Sequence, residues 1–370
     1  MSARYARQIV LPEIGEAGQV LLGKARILVV GAGGLGSPAL LYLVAAGVGL
    51  ASHGGRIGIF DDDAVDASNL QRQIVFRELD QGATKAEAAR RHLSALNSAT
   101  QFATYSHRLN AANILDILSD YDIIIDGTDN FATKYLINDA ALKLNKPVVY
   151  GSILGFEGQV SIFWANHGPC YRCIYPRAPT AHVPNCAEAG TLGGIAGVVG
   201  AIQAVEACKL ALGLAHCQQH GLDPLIGKLL VFDALTWDIR KLDLDKHPKC
   251  PCCMTPPEQI TLANEERAVC ETQQPVKPIS LRDLSDLWET GVPVTLIDVR
   301  EHAEWASGHL DGALHIPLGR LLSEEDALVD INRSDVLVVY CQHGIRSAHA
   351  VSFLRSKGME ALNLLVDLPS

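Results

Sequence analysis

The sequence predicts two α/β domains in one chain, the first built on a mixed, mostly parallel sheet and the second smaller. Three observations predict it. At 370 residues the chain exceeds what one ordinary hydrophobic core organises. Short apolar runs alternate with helical stretches in two regions, the pattern of strands joined by crossover helices. Between those regions lies a stretch rich in Pro, Gln, Glu and Thr with no sustained period, which reads as a linker. The expected boundaries are 1–254 for the first domain, 255–278 for the linker and 279–370 for the second domain.

Composition narrows the function classes. With 48% hydrophobic and 19% charged residues the chain is a folded globular protein, and its net charge of -10 argues against a nucleic-acid partner, which requires an excess of Lys and Arg. The N-terminal stretch is charged and lacks the apolar core of a signal peptide. The segment AGTLGGIAGVVGAIQAVEACKLALGLA is interrupted by Gln203, Glu206 and Lys209, so it reads as a buried helix and not a membrane span. A cytoplasmic protein without a membrane partner is expected, and its ten cysteines read as metal ligands or reactive thiols sooner than as disulfides.

In the first domain ARILVVGAGGLG, RIGIFDDD, YDIIIDGTDN, KPVVYGSI and KLLVFDAL read as strands with the turns that follow them. The first leads into Gly31-x-Gly33-Gly34-x-Gly36 and then a helix, where a tight glycine turn and a helix N-terminus together favour a phosphate. Asp61 ends the second strand, where a carboxylate can take ribose hydroxyls, and Asp63 follows it. By itself this pattern suggests an NAD-dependent oxidoreductase. Next come Asn69, Arg72 and Gln73 in NLQRQ, then Lys85, then Asp129 and Asn130 in GTDN. Each charge alone fits a solvated loop. Two cations and a metal-capable carboxylate beyond successive strand ends fit phosphoryl or nucleotidyl transfer better than hydride transfer, because charge at phosphorus must be neutralised.

Cys170 and Cys173 in CYRC, with Cys250 and Cys253 in CPCC, supply four thiolates for a tetrahedral structural zinc; a redox reading would need two such pairs by coincidence. Cys252 is a spare that can substitute as a ligand. Cys208 and Cys217 lie in helical sequence and read as small buried hydrophobes, whereas Cys186 lies in a Pro- and Gly-bounded segment.

Arg4 and Arg7 in RYARQ, followed in order by GAGGLG, FDDD, NLQRQ, GTDN and the cysteine pairs, resemble the MoeB/ThiF group of the ubiquitin-activating-enzyme-like superfamily over residues 4–254. The resemblance implies a Rossmann-like fold and a homodimer that binds Mg-ATP and adenylates the C-terminal glycine of a small ubiquitin-like sulfur carrier ending in Gly-Gly. It implies that Gly31, Gly33 and Gly36 line the phosphates, Asp61 holds the ribose, Arg72 and Lys85 neutralise the triphosphate, Asp129 binds Mg2+ and Arg7 reaches the partner subunit's site. It also implies a reactive cysteine at Cys186, on a crossover loop. LASHGG, residues 50–55, departs from the group as an insertion.

In the second domain LIDVR and VLVVY read as buried strands, and SAHAVSFLRSKG as an amphipathic helix ended by Gly358. VLVVY runs into Cys341 and a short loop closed by Arg346, which adds positive charge to it. Successive N–H groups of such a loop, with the following helix, stabilise a thiolate, as either a phosphatase or a sulfurtransferase needs. The preceding LIDVREHAEWASGHLDGALHIP resembles the rhodanese pattern, with Asp298, Arg300, Glu301, His309 and Gly312 in place. The rhodanese resemblance implies a persulfide on Cys341, loaded from thiosulfate or a cysteine desulfurase. The ending NLLVDLPS departs from the usual Gly-Gly turn and terminal aromatic. Together the two resemblances imply ATP-dependent activation of the carrier followed by sulfur transfer to give its thiocarboxylate. The rival expectations are the oxidoreductase with an appended redox domain, and a regulatory protein whose second domain only senses or docks.

Overall fold

The computed structural model describes residues 3–177, 190–263, 278–300, 302–323, 331–332, 335–342 and 344–366. They fall into two compact units, one made of the described residues up to 263 and one of those from 278 onward.

The first unit is an eight-stranded sheet. Its strands are β1 (Arg26–Val30), β2 (Arg56–Phe60), β3 (Phe102–Tyr105), β4 (Ile123–Asp126), β5 (Val148–Leu154), β6 (Glu157–Phe163), β7 (Lys228–Asp233) and β8 (Asp238–Asp243), in the spatial order 3-2-1-4-5-6-7-8. The first five are parallel and the last three antiparallel. The continuous apolar runs of β1, β2 and β4 follow from burial on both faces: Ile27, Val29, Ile57 and Ile59 point into one core, Leu28, Val30, Phe60 and Ile124 into the other. Each such side chain contributes about 1.5–3 kcal/mol by leaving water.

Between β1 and β4 the strand order reverses, and there the C-terminal strand ends open a crevice that a ligand can fill. The helix Gly36–Ala45 packs on Gly193–Leu212, whose small residues permit close approach: a Cβ on Gly200 would lie 2.3 Å from the Leu35 carbonyl oxygen. Gly193–Leu212 has the length and apolarity of a membrane span, with a mean hydropathy of 1.6, yet half of it is buried against this core and it carries buried Gln203 and Glu206. The LASHGG segment forms a short 3-10 turn, Ala51–His53, closed by Gly54 in the left-handed region. Beyond Thr255 the chain does not leave at once. Lys143 Nζ donates to the carbonyls of Pro257 and Ile260, at 2.7 and 2.9 Å, and fastens that stretch to the first unit.

The second unit is a five-stranded parallel sheet of β9 (Pro278–Ile279), β10 (Val294–Asp298), β11 (Leu314–His315), β12 (Val336–Tyr340) and β13 (Ala361–Leu364), ordered 11-10-12-13-9. Alternate residues of β10 and β12 again serve two cores: Ile297, Leu337 and Val339 on one face, Leu296, Val336, Val338 and Tyr340 on the other. The C-terminal helix runs Ile345–Ser356, starting two residues before SAHAVSFLRSKG, and Gly358 follows its end with φ +80°.

Candidate active sites

The crevice at the strand reversal is a cleft of about 1020 Å³. Gly31, Gly33, Gly34, Asp61, Asp63, Arg72, Gln73, Lys85, Asp129 and Asn130 all line it. Gly36 lies behind, where the turn closes on itself: a Cβ there would sit 1.8 Å from the Gly31 carbonyl oxygen. At Gly33 a Cβ would meet only Gln73 Nε2, at 3.8 Å, so the cleft side of the turn is open to a ligand.

Asp61 leaves β2 with its carboxylate accepting from the N–H groups of Ala32 and Asp63, at 2.8 and 3.0 Å. Burial raises its pKa, against the opposing pull of Lys85 and those N–H groups. The buried Lys85 ammonium donates to Asp63 at 2.7 Å. Arg72 is half-buried and donates to the Ser68 carbonyl at 2.9 Å. Gln73 is 4% exposed, and its Oε1 has no protein partner, an acceptor that fits a donor on a bound ligand. Asp129 is exposed, and Asn130 caps the helix Phe131–Lys143 by accepting from the Thr133 N–H at 2.9 Å.

Two expected residues stand elsewhere. Asn69 is not among the cleft-lining residues; its carbonyl takes the N–H groups of Arg72 and Gln73 and so shapes the turn that presents them. Arg7 lies on the exposed turn Ala6–Ile9, outside the cleft of its own chain. The cleft also holds residues that sequence reasoning passed over, among them Lys134, Arg108 and Tyr150. Burial pushes the Tyr150 hydroxyl up to about 12, which keeps it neutral at physiological pH.

Away from the cleft, the sulfurs of Cys170, Cys173, Cys250 and Cys253 lie within 4.8 Å of one another. Hydrogen bonds from Cys170 and Cys253 hold the Cys173 thiol below its ordinary range, and their bonds push Cys170 and Cys253 up. Four sulfurs this close fit a single cation, and four thiolates are the donor set of a structural zinc. Cys252 is not one of the four; its thiol donates to Asp139 at 3.2 Å and also bonds Cys170 at the cluster's edge.

In the second unit Cys341 directly follows β12 and is 1% exposed. Its Sγ accepts from the Ser347 N–H at 3.4 Å, and the Ser347 hydroxyl lies 3.3 Å away. The fully buried Arg300 pairs with Asp298 at 2.8 Å and donates to the Gly308 carbonyl at 2.6 Å and Gln342 Oε1 at 3.2 Å. That ion pair therefore braces the loop beside Cys341. Arg346 pairs with Glu304. His309 stacks on Trp305, with ring centroids 3.6 Å apart. Cys186 and Glu301 lie outside the described residues.

Residues 5–252 match the ThiF family and residues 280–366 match the Rhodanese-like domain. The chain is 41% identical over 368 residues to the probable adenylyltransferase/sulfurtransferase MoeZ of Mycobacterium tuberculosis, covering 96% of this chain and 88% of that one. It is 45% identical over 269 residues to the sulfur carrier protein adenylyltransferase of Thermus thermophilus, covering 71% and 94%. It is 40% identical over 370 residues to the adenylyltransferase and sulfurtransferase MOCS3 of Anopheles gambiae, covering 95% and 81%. The crystal structure of E. coli MccB with ATP covers 68% of this chain and 74% of its own at a TM-score of 0.57 and 20% identity, a likeness of fold. None of these relatives is an NAD-dependent oxidoreductase, so that alternative has no support. The cleft at the strand reversal and the cysteine loop of the second unit thus lie within two matched regions: the chain belongs to the ThiF family and carries a Rhodanese-like domain after it.

Proposed function

We propose that this protein adenylates the C-terminal glycine of a small ubiquitin-like sulfur carrier and then passes sulfur from Cys341 to it, forming a thiocarboxylate. The observation that carries the reading is the one cleft that gathers the glycine turn, Asp61, Arg72, Gln73, Lys85 and Asp129, in a chain that also holds the Cys341 loop.

Adenylation brings a carboxylate against a polyanion, so positioning and positive charge matter more than a general base. In the proposed reaction the glycine carboxylate attacks the α-phosphorus of ATP, the bond to the β-phosphate breaks, and pyrophosphate leaves. The open glycine turn receives the phosphates, Asp61 the ribose, and Arg72 and Lys85 the developing charge. Asp129 is the residue to hold Mg2+, which would neutralise phosphate charge when bound. Arg7 is assigned to the cleft of a second copy in a homodimer. In the sulfur step the terminal sulfur of a Cys341 persulfide, loaded from thiosulfate or a cysteine desulfurase, attacks the acyl carbon and AMP leaves. A thiol, assigned to Cys186, then attacks the Cys341 sulfur and releases the thiocarboxylate. The resulting disulfide is reopened by a thiol reductant. A cytoplasmic setting, with its reduced thiol pools, suits this cycle.

The test incubates the protein with Mg-ATP, thiosulfate and carriers ending in Gly-Gly, and reads the carrier mass. A gain of about 16 Da, sulfur in place of oxygen, supports both steps. If Cys341→Ala still gives full thiocarboxylate, the sulfur route is wrong. Absence of ATP-pyrophosphate exchange with every carrier would overturn adenylation.

A further inference from the structure

Lys134 sits one helical turn beyond Asn130, yet its ammonium is turned into the protein. The residue is 6% exposed and its partner Asp126, at the end of β4, is 2% exposed. Lys134 Nζ donates to Asp126 Oδ2 at 3.1 Å and to the Gly151 carbonyl of β5 at 3.0 Å, and stands 4.9 Å from the centre of the Tyr150 ring. The other carboxylate oxygen, Asp126 Oδ1, accepts from the N–H of Thr128 at 3.0 Å and from its hydroxyl at 2.7 Å. Thr128 is the residue before Asp129. On the far side, Gln203 Nε2 donates to the backbone oxygens of Asp126 and Val149, at 2.8 and 3.1 Å. A Cβ on Gly151 would come within 2.6 Å of that carboxamide, so the glycine makes room for the network.

An ion pair taken out of water gains little stability over an apolar pair of the same volume, so stability alone gives weak reason for one here. What this pair does, which an apolar pair would not, is define a turn. Lys134 fixes Asp126, Asp126 takes both donors of Thr128, and the next residue carries the exposed carboxylate of the cleft.

We infer that Lys134 is a positioning residue for metal-nucleotide binding: through Asp126 and Thr128 it fixes the turn from which Asp129 reaches the magnesium of Mg-ATP. This rests on the adenylation reading above, in which Asp129 holds that ion. Lys134 acts through other residues, with its ammonium committed to Asp126 and Gly151.

The test compares binding of a non-hydrolysable ATP analogue with Mg2+ and with a chelator, by calorimetry, on the full-length protein without carrier. In Lys134→Met the ratio of the two affinities falls about tenfold or more, while metal-free binding to the glycine turn stays within about twofold of the parent. Lys134→Arg, which keeps the cation, retains most of the ratio. Thr128→Val, which leaves the ion pair intact but removes one donor to Asp126, lowers the ratio about threefold. A merely structural role would lower the melting temperature and both affinities together. If Lys134→Met binds metal-free nucleotide normally and keeps the parent ratio, the inference is overturned. Should Lys134→Met fail to fold, an unchanged ratio in Thr128→Val overturns it instead. Failure of the adenylation reading shows separately, as absent pyrophosphate exchange in the parent protein.

Discussion

Arg346 donates one hydrogen bond to each carboxylate oxygen of Glu304, at 2.7 and 2.6 Å, across 42 positions of sequence. The sequence suggested that Arg346 lends its charge to the Cys341 loop. In the fold that charge is shared with Glu304, while the Cys341 sulfur accepts from the Ser347 N–H and lies 3.3 Å from its hydroxyl.

Glu304→Gln should therefore release positive charge towards an anionic sulfur donor. In a thiosulfate-to-cyanide transfer assay the KM for thiosulfate is expected to fall about threefold or more, and the second unit to lose about 1 kcal/mol of stability. An unchanged KM would mean that Arg346 does not face the donor.

The two glycines at the turn should respond differently. Gly36→Ala drives a Cβ into the Gly31 carbonyl, at 1.8 Å before relaxation, and is expected to cost about 3 kcal/mol or more. Gly33→Ala meets open cleft, so denaturant unfolding should change by less than about 1 kcal/mol. Nucleotide affinity should still fall about tenfold, because the methyl group occupies the ligand's side of the turn. Equal melting losses in both variants would contradict this geometry.

The four-cysteine cluster is expected to hold one zinc ion per chain by atomic absorption. Cys173→Ser should lose the metal and several degrees of melting temperature, since structural zinc couples binding to folding. Cys252→Ser should keep the full metal content, because its sulfur is outside the four-sulfur group and donates to Asp139.

Asp80 supplies a pH-dependent part of stability. Burial alone would raise its pKa, but the Arg77 N–H and the side chains of His92 and Arg91 outweigh burial and hold it below its ordinary 3.8. A carboxyl depressed in the folded state contributes stability above the unfolded value, and loses it as pH falls through the folded one. Asp80→Asn is thus expected to cost about 1–3 kcal/mol at pH 7. The gap to the parent should close below pH 3.8, as followed by urea unfolding at several pH values. A gap that persists at low pH would assign the loss to packing.

What the sequence alone determined is what short segments encode. The apolar runs of β1, β2, β4, β10 and β12, the glycine turn, the acidic strand ends, the C-x-x-C pairs and the Cys341 loop were all legible, because each is a few residues whose chemistry or period carries the signal. Six strands were not, namely β3, β6, β8, β9, β11 and β13. In β6, Glu157–Phe163 follows β5 too closely to stand apart from it, and β8 is an edge strand in which every residue of Asp238–Asp243 is exposed, with no apolar alternation to read. The tertiary structure decided which residues are taken out of water and what meets them there. It turned Lys134 inward onto Asp126, gave Arg346 to Glu304, set Cys253 in the cluster and Cys252 against Asp139, and used Asn69 to shape a turn. A lysine or a cysteine has the same letter whether solvated or buried. Its role follows from partners such as Cys252 and Asp139, 113 positions apart, that only folding brings together.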